Sequence, residues 1–125
     1  MNGKRVLVID DEDDMTTTFR IILEMEGFKV DTFNDPLLAL SRFKPNHYDL
    51  VLLDIIMPNI DGFKIYDEIK KIDTEIKILF LTANEIYYSK RKREIYNMFG
   101  RDLFLQKPIE NEELVKKIND ILEKE

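Results

Sequence analysis

Leu50-Val51-Leu52-Leu53 is the most uniformly apolar run in the chain, and it ends on Asp54. It shows no alternation of polar and apolar residues, so it reads as a strand covered on both faces. A strand of that kind belongs inside a parallel sheet with helices on either side. The flanking sequence agrees. Val6-Leu7-Val8-Ile9 is a compact β-branched run that stops at Asp10 and Asp11. Val30 and Phe33 mark a second short run, Ile78-Leu79-Phe80-Leu81 a fourth, and Leu103-Phe104-Leu105 a fifth.

Helical spacing fills the intervals. Met15, Phe19, Ile22 and Leu23 recur on one face, closed by Gly27 in a C-cap position. Asn34-Asp35-Pro36 is a helix start, a capping side chain followed by a proline that the first turn tolerates. Leu37, Leu40 and Phe43 continue it. Met57-Pro58-Asn59-Ile60-Asp61-Gly62 is a turn that leads into Ile65, Ile69 and Ile72. Residues Glu85 to Phe99 form a further predicted helix ended by Gly100, and Leu114, Ile118, Ile121 and Leu122 mark the last. Five βα units in succession predict a doubly wound α/β sheet, flavodoxin-like, (βα)5, with strand order 2-1-3-4-5.

With 125 residues the chain is the size of one domain, expected to span 1–125. Its formal charge of −6 argues against direct nucleic-acid binding. The charge is uneven: residues 1–75 hold 9 basic and 16 acidic side chains, whereas residues 76–125 are nearly balanced. Cysteine is absent, which excludes disulfides and thiolate chemistry, and His47 alone cannot build a multi-histidine metal site. No apolar run approaches a membrane span and no signal sequence is evident, so a cytoplasmic protein is expected.

In an open parallel sheet, ligands bind beyond the carboxyl ends of the strands, where the order reverses between strands 1 and 3. Strand 1 delivers Asp10 and Asp11 there, strand 3 Asp54, strand 4 Thr82 and strand 5 Lys107. Three carboxylates at close range repel unless a cation joins them. Oxygen ligands without His or Cys select a hard ion, and Mg2+ fits. A carboxylate beside such an ion can attack phosphorus, with a lysine and a hydroxyl to receive phosphoryl oxygens. The set suits phosphoryl transfer onto an aspartate.

Four motifs carry a resemblance. They are Val8-Ile9-Asp10-Asp11-Glu12, Asp54-Ile55-Ile56-Met57-Pro58-Asn59-Ile60-Asp61-Gly62, Leu81-Thr82-Ala83 and Lys107-Pro108. Together, and in this order, they resemble the response-regulator receiver domain of two-component signalling, and the match is similar to the single-domain chemotaxis regulator. The resemblance implies that Asp54 accepts the phosphoryl group. It implies that Asp11, Asp54 and the backbone carbonyl of Ile56 bind Mg2+ directly, with Asp10 acting largely through water. Thr82 would hydrogen-bond the phosphoryl group and Lys107 would pair with it. Lys107-Pro108 is then a candidate cis peptide, and Phe104 occupies the position of a rotating switch aromatic, steric only because it lacks a hydroxyl; read from the residue alone, it fits a plain core aromatic nearly as well.

The implied donor is a histidine kinase or phosphotransfer protein. The implied reader is a downstream output protein or effector domain that binds the surface of the predicted fourth helix, fifth strand and last helix. The protein would act as a monomer or a phosphorylation-dependent dimer, and would be no enzyme beyond its own phosphorylation and dephosphorylation. Two alternatives share these residues: a Mg2+-dependent phosphohydrolase with an aspartyl-phosphate intermediate, and a binding module of the same fold that is never phosphorylated. Glu12, Asp13 and Asp14 read as charges favoured at a helix N-terminus rather than as ligands. The 25-position separation of Thr82 and Lys107 exceeds the family's usual spacing, which points to an extended segment bearing Lys90-Arg91-Lys92-Arg93. Ile56 and Asn84 flank the approach of a hydrolytic water, and Ile56 offers no hydrogen bond to orient it.

Overall fold

The computed structural model describes residues 3–58, 60–82 and 103–123. The predicted helix Glu85–Phe99, the basic run Lys90–Arg93, Ala83, Asn84, Asn59 and the side chain of Thr82 lie outside the described residues. The strands are β1 (Arg5–Ile9), β2 (Lys29–Phe33), β3 (Leu50–Asp54), β4 (Lys77–Thr82) and β5 (Phe104–Gln106). The described helices are α1 (Asp13–Met25), α2 (Pro36–Arg42), α3 (Gly62–Ile72) and α4 (Asn111–Glu123).

All pairings are parallel, and the order is β2-β1-β3-β4-β5, as the alternation of runs predicts. Every residue of β3 is buried, because β1 and β4 flank it and helices cover both faces. Successive side chains in a strand point to opposite faces, which splits the core in two. Leu7, Ile9, Val51, Leu53 and Phe80 pack under α2 and α3 with Ala39, Ile65 and Ile69. Val6, Val8, Leu50, Leu52, Leu79 and Leu81 pack under α1 and α4 with Phe19, Leu23, Leu114 and Ile118.

The helix boundaries follow local chemistry. Glu26 caps α1, and Gly27 takes φ of 93° beyond it. The Gly27 N–H donates to Glu24 and the Phe28 N–H to Leu23, the paired bonds of a Schellman turn. Asp35 caps α2 by accepting from the Leu37 and Leu38 amides, with Pro36 at the first position. Asp61 caps α3 by accepting from the Lys64 amide.

Register then fixes the site. Ile9 pairs with both Phe33 and Leu53, and Thr82 pairs with Gln106. The residues that end or follow these strands, Asp10, Asn34, Asp54 and Lys107, therefore emerge along one edge. Leu52 sits at the middle of the central strand and is fully buried. Leu52→Ala should cost about 2–5 kcal/mol of unfolding free energy. Denaturant titration checks this as a lower midpoint with an unchanged slope.

Candidate functional site

Asp10 is fully buried at the end of β1, and its peptide is held on both sides. Its N–H donates to the Phe33 carbonyl at 3.2 Å, and its carbonyl accepts from Asn34 Nδ2 at 2.9 Å. Its carboxylate accepts the Glu12 amide on Oδ1 at 3.0 Å and Lys107 Nζ on Oδ2 at 2.8 Å. Asp54, at the end of β3, is 2 % exposed. Its Oδ1 accepts the Ile56 amide at 3.3 Å, and its Oδ2 lies 3.5 Å from Lys107 Nζ. Asp11 is half-buried. One carboxylate oxygen from each of Asp10, Asp11 and Asp54 lies within 4.8 Å of the other two.

The sequence expectation that these three carboxylates and Lys107 meet is therefore met. Lys107 enters after β5 through a cis Lys107–Pro108 peptide. Its nearest carboxylate is Asp10, at 2.8 Å, rather than Asp54, at 3.5 Å. Glu12 also contributes. It forms no capping hydrogen bond at the start of α1, and its Oε1 lies 3.6 Å from Lys107 Nζ. Ile56 follows Asp54 with its side chain 36 % exposed, at the rim of the site. Thr82 closes β4 opposite Gln106, while its side chain lies outside the described residues. Phe104 is half-buried and stacks on Phe80 with ring centroids 5.1 Å apart.

Gly62 explains how the turn after β3 approaches so closely. A β carbon there would stand 2.5 Å from the Asp54 carbonyl oxygen and 2.8 Å from Ile55 Cα. Its amide donates to the Ile55 carbonyl at 2.8 Å. Any larger residue would push the backbone that carries Asp54.

The electrostatics follow from burial. Desolvation raises the pKa of Asp54, the charge of Asp10 raises it further, Lys107 lowers it, Asp11 raises it, and the Ile56 amide lowers it; the result is about 7. Burial acts to lower the pKa of Lys107, but its hydrogen bond to Asp10 and the charges of Asp54, Asp10 and Glu12 outweigh this, and it ends raised. A site that protonates an aspartate near neutrality has room for another cation. The donors on offer are carboxylate and carbonyl oxygens, with His47 packed edge-on against Tyr48, among the residues lining a cleft with Arg5 and Lys77 where strands β1 and β4 begin. Hard oxygen donors of this kind fit Mg2+.

Two residues of this site escape a reading by motif: Asn34, whose amide grips Asp10, and Thr16, which accepts from the same amide at 3.0 Å; Glu12, expected only as a charge at the helix N-terminus, also approaches Lys107. The helix-start signal at Asn34-Asp35-Pro36 holds: Asp35, directly before Pro36, is the cap, and the Asn34 amide turns toward β1.

The comparisons with known proteins agree with this geometry. A family model described as the response regulator receiver domain matches residues 6–119. The transcriptional regulatory protein RprY of Bacteroides fragilis is 32% identical over 120 residues, covering 94% of this chain and 49% of that protein. The chain thus spans about half the length of the curated relatives it matches. Among solved structures, the non-phosphorylated HemR receiver domain of Leptospira biflexa superposes with a TM-score of 0.86 at 25% identity, covering 98% of this chain and 97% of that one. The response regulator TrrA of Thermotoga maritima, solved in complex with Mg(2+)-BeF, gives 0.77 at 34% identity, covering 94% and 98%.

The raised Asp54 pKa has a consequence for stability. In metal-free buffer the folded carboxyl holds a proton up to about pH 7, while the unfolded one releases it near 3.8. Stability from this group is present at low pH and falls away as pH rises between those values. Asp54→Asn removes the charge and keeps the shape. It should melt above the wild type at about pH 8, and the gap should shrink at about pH 5. Thermal melts of both proteins at the two pH values check it; a gap that does not change with pH would contradict the assignment.

Proposed function

Since the chain belongs to the response-regulator receiver domains of two-component signalling, we propose that Asp54 is its phospho-acceptor and that Mg2+ is required. The convergence of Asp10, Asp11 and Asp54 beside Lys107 carries this reading. The donor is a phosphohistidine on a histidine kinase or phosphotransfer protein. An Asp54 oxygen attacks phosphorus as the bond from phosphorus to imidazole nitrogen breaks, and the released imidazole takes up a proton. Bound Mg2+ would be held by Asp11, Asp54 and the Ile56 carbonyl, with Asp10 acting through water, and would supply charge neutralisation for the transferring group.

Lys107 begins on Asp10 and exchanges that partner for a phosphoryl oxygen, while Thr82 donates to another. These shifts bias a two-state surface that includes β5 and α4, with Phe104 turning as a steric element; the helix predicted from sequence at 85–99, expected to belong to the same surface, lies outside the described residues. A downstream output protein or effector domain reads that surface, with the domain monomeric or dimerising on phosphorylation. The naming of RprY as a transcriptional regulatory protein supports a regulatory output, and the Mg(2+)-BeF complex of TrrA supports the metal. The phosphoryl group turns over on the protein itself, so the domain is a cytoplasmic switch rather than an enzyme with an external substrate.

Incubation with acetyl phosphate and Mg2+ should add one phosphoryl group to the wild type and none to Asp54→Ala, read by intact mass. Absence of the adduct on the wild type, or equal addition to the variant, would refute the acceptor. The exposed Ile56 side chain shields the acyl phosphate from water. Ile56→Asn introduces a group that can orient that water and should shorten the phosphorylated lifetime severalfold, timed as loss of the mass adduct; an unchanged rate would sink the idea.

A further inference from the structure

Asp10 has no freedom of its own at the site, since both carboxylate oxygens and both sides of its peptide are engaged. Where that carboxylate points depends on what holds the peptide. Two residues at the end of β2 do so: the Phe33 carbonyl receives the Asp10 N–H, and the Asn34 side chain donates to the Asp10 carbonyl at 2.9 Å. The second Asn34 proton goes to Thr16 Oγ1 at 3.0 Å. Thr16, 2 % exposed, passes its own proton to the Asp13 carbonyl at 3.0 Å.

The result is one directional chain: the Asn34 amide gives both protons away, and the Thr16 hydroxyl accepts one and donates one. Donors and acceptors match without conflict. The chain runs from the end of β1 to the first turn of α1 and spans the loop that carries Asp10, Asp11 and Glu12. That loop needs such a brace because Glu12, at the N-cap, makes no capping hydrogen bond. Further along, Arg20 ties α1 to β2 through Thr32 Oγ1 at 2.9 Å and the Val30 carbonyl at 3.4 Å, so the anchor point is itself fixed.

We propose that Asn34 and Thr16 are positioning residues for the cation site, acting through the backbone of Asp10 and the first turn of α1. The proposal rests on the Mg2+ function inferred above. Groups that orient ligands without touching the metal typically change affinity by 10–100-fold. Asn34→Ala and Thr16→Val should each weaken Mg2+ binding by about tenfold in calorimetric titration. Because both act in one chain, the double variant should lose little more than the worse single one. Thr16→Ser keeps the hydroxyl and should retain wild-type affinity.

Three results would overturn the proposal. The first is wild-type Mg2+ affinity in Asn34→Ala and Thr16→Val. The second is a Thr16→Ser variant as weak as Thr16→Val, which would assign the effect to packing around residue 16. The third is fully additive losses in the double variant. A wild type that fails to bind Mg2+ would instead overturn the proposed function, so the two failures are distinguishable.

Discussion

Two buried carboxylates at neighbouring strand ends, Asp10 and Asp54, are the constraint around which the molecule is arranged. Like charges about 4 Å apart near a protein surface repel by roughly 4 kcal/mol. One ammonium, Lys107, faces three carboxylates of the cluster's neighbourhood, Asp10, Asp54 and Glu12, at 2.8, 3.5 and 3.6 Å. Asp11 adds further negative charge to Asp54. A single positive charge cannot offset them all. Burial first, and then this remaining negative charge, push the Asp54 pKa up to about 7. The same imbalance draws a proton or a hard cation.

The sheet forces the acids together and bears the cost. Pairing of Ile9 with Leu53 puts the ends of β1 and β3 side by side, and that pairing is stabilised by apolar residues that are almost completely removed from water, Val6 to Ile9 and Leu50 to Leu53. Gly62 adds a second requirement. Only a residue without a β carbon lets α3 begin against the Asp54 carbonyl. Stability concentrated in the middle of the sheet thus permits an unfavourable arrangement at its edge.

Much of this was legible from residue pattern. Leu50 to Leu53 without alternation meant a strand covered twice, and β3 is buried throughout. The same logic placed Asp10, Asp11, Asp54 and Lys107 at one edge, because the rule concerns strand ends and needs no side-chain detail. What escaped were contacts set by direction rather than position. Sequence could not say that Lys107 rests nearer Asp10 than Asp54, since both lie within reach of a long flexible side chain. It could not assign Asn34, because the bonds of its amide to the Asp10 carbonyl and to Thr16 join segments distant in sequence. Gly62 looked like part of a turn, and its role depends on a 2.5 Å approach that spacing does not reveal.

The described geometry also says which side of the site can move. Asp10 and Asp54 sit on strands paired on both edges, and Asp10 is further braced through Asn34 to α1. Lys107 follows β5, which is three residues long and pairs with β4 alone in the described sheet. Fewer ladder bonds and a partly exposed Phe104 make this edge the softer one. The Lys107 ammonium is held by a hydrogen bond to Asp10 and longer approaches to Asp54 and Glu12, whereas the Asp10 and Asp54 carboxylates also accept backbone amides. A new anionic group near Asp54 would therefore shift Lys107 and its strand before it shifted the carboxylates. The strands that carry the acids are each paired on two sides, so in the proposed switch the first response to added charge would fall to Lys107 and β5.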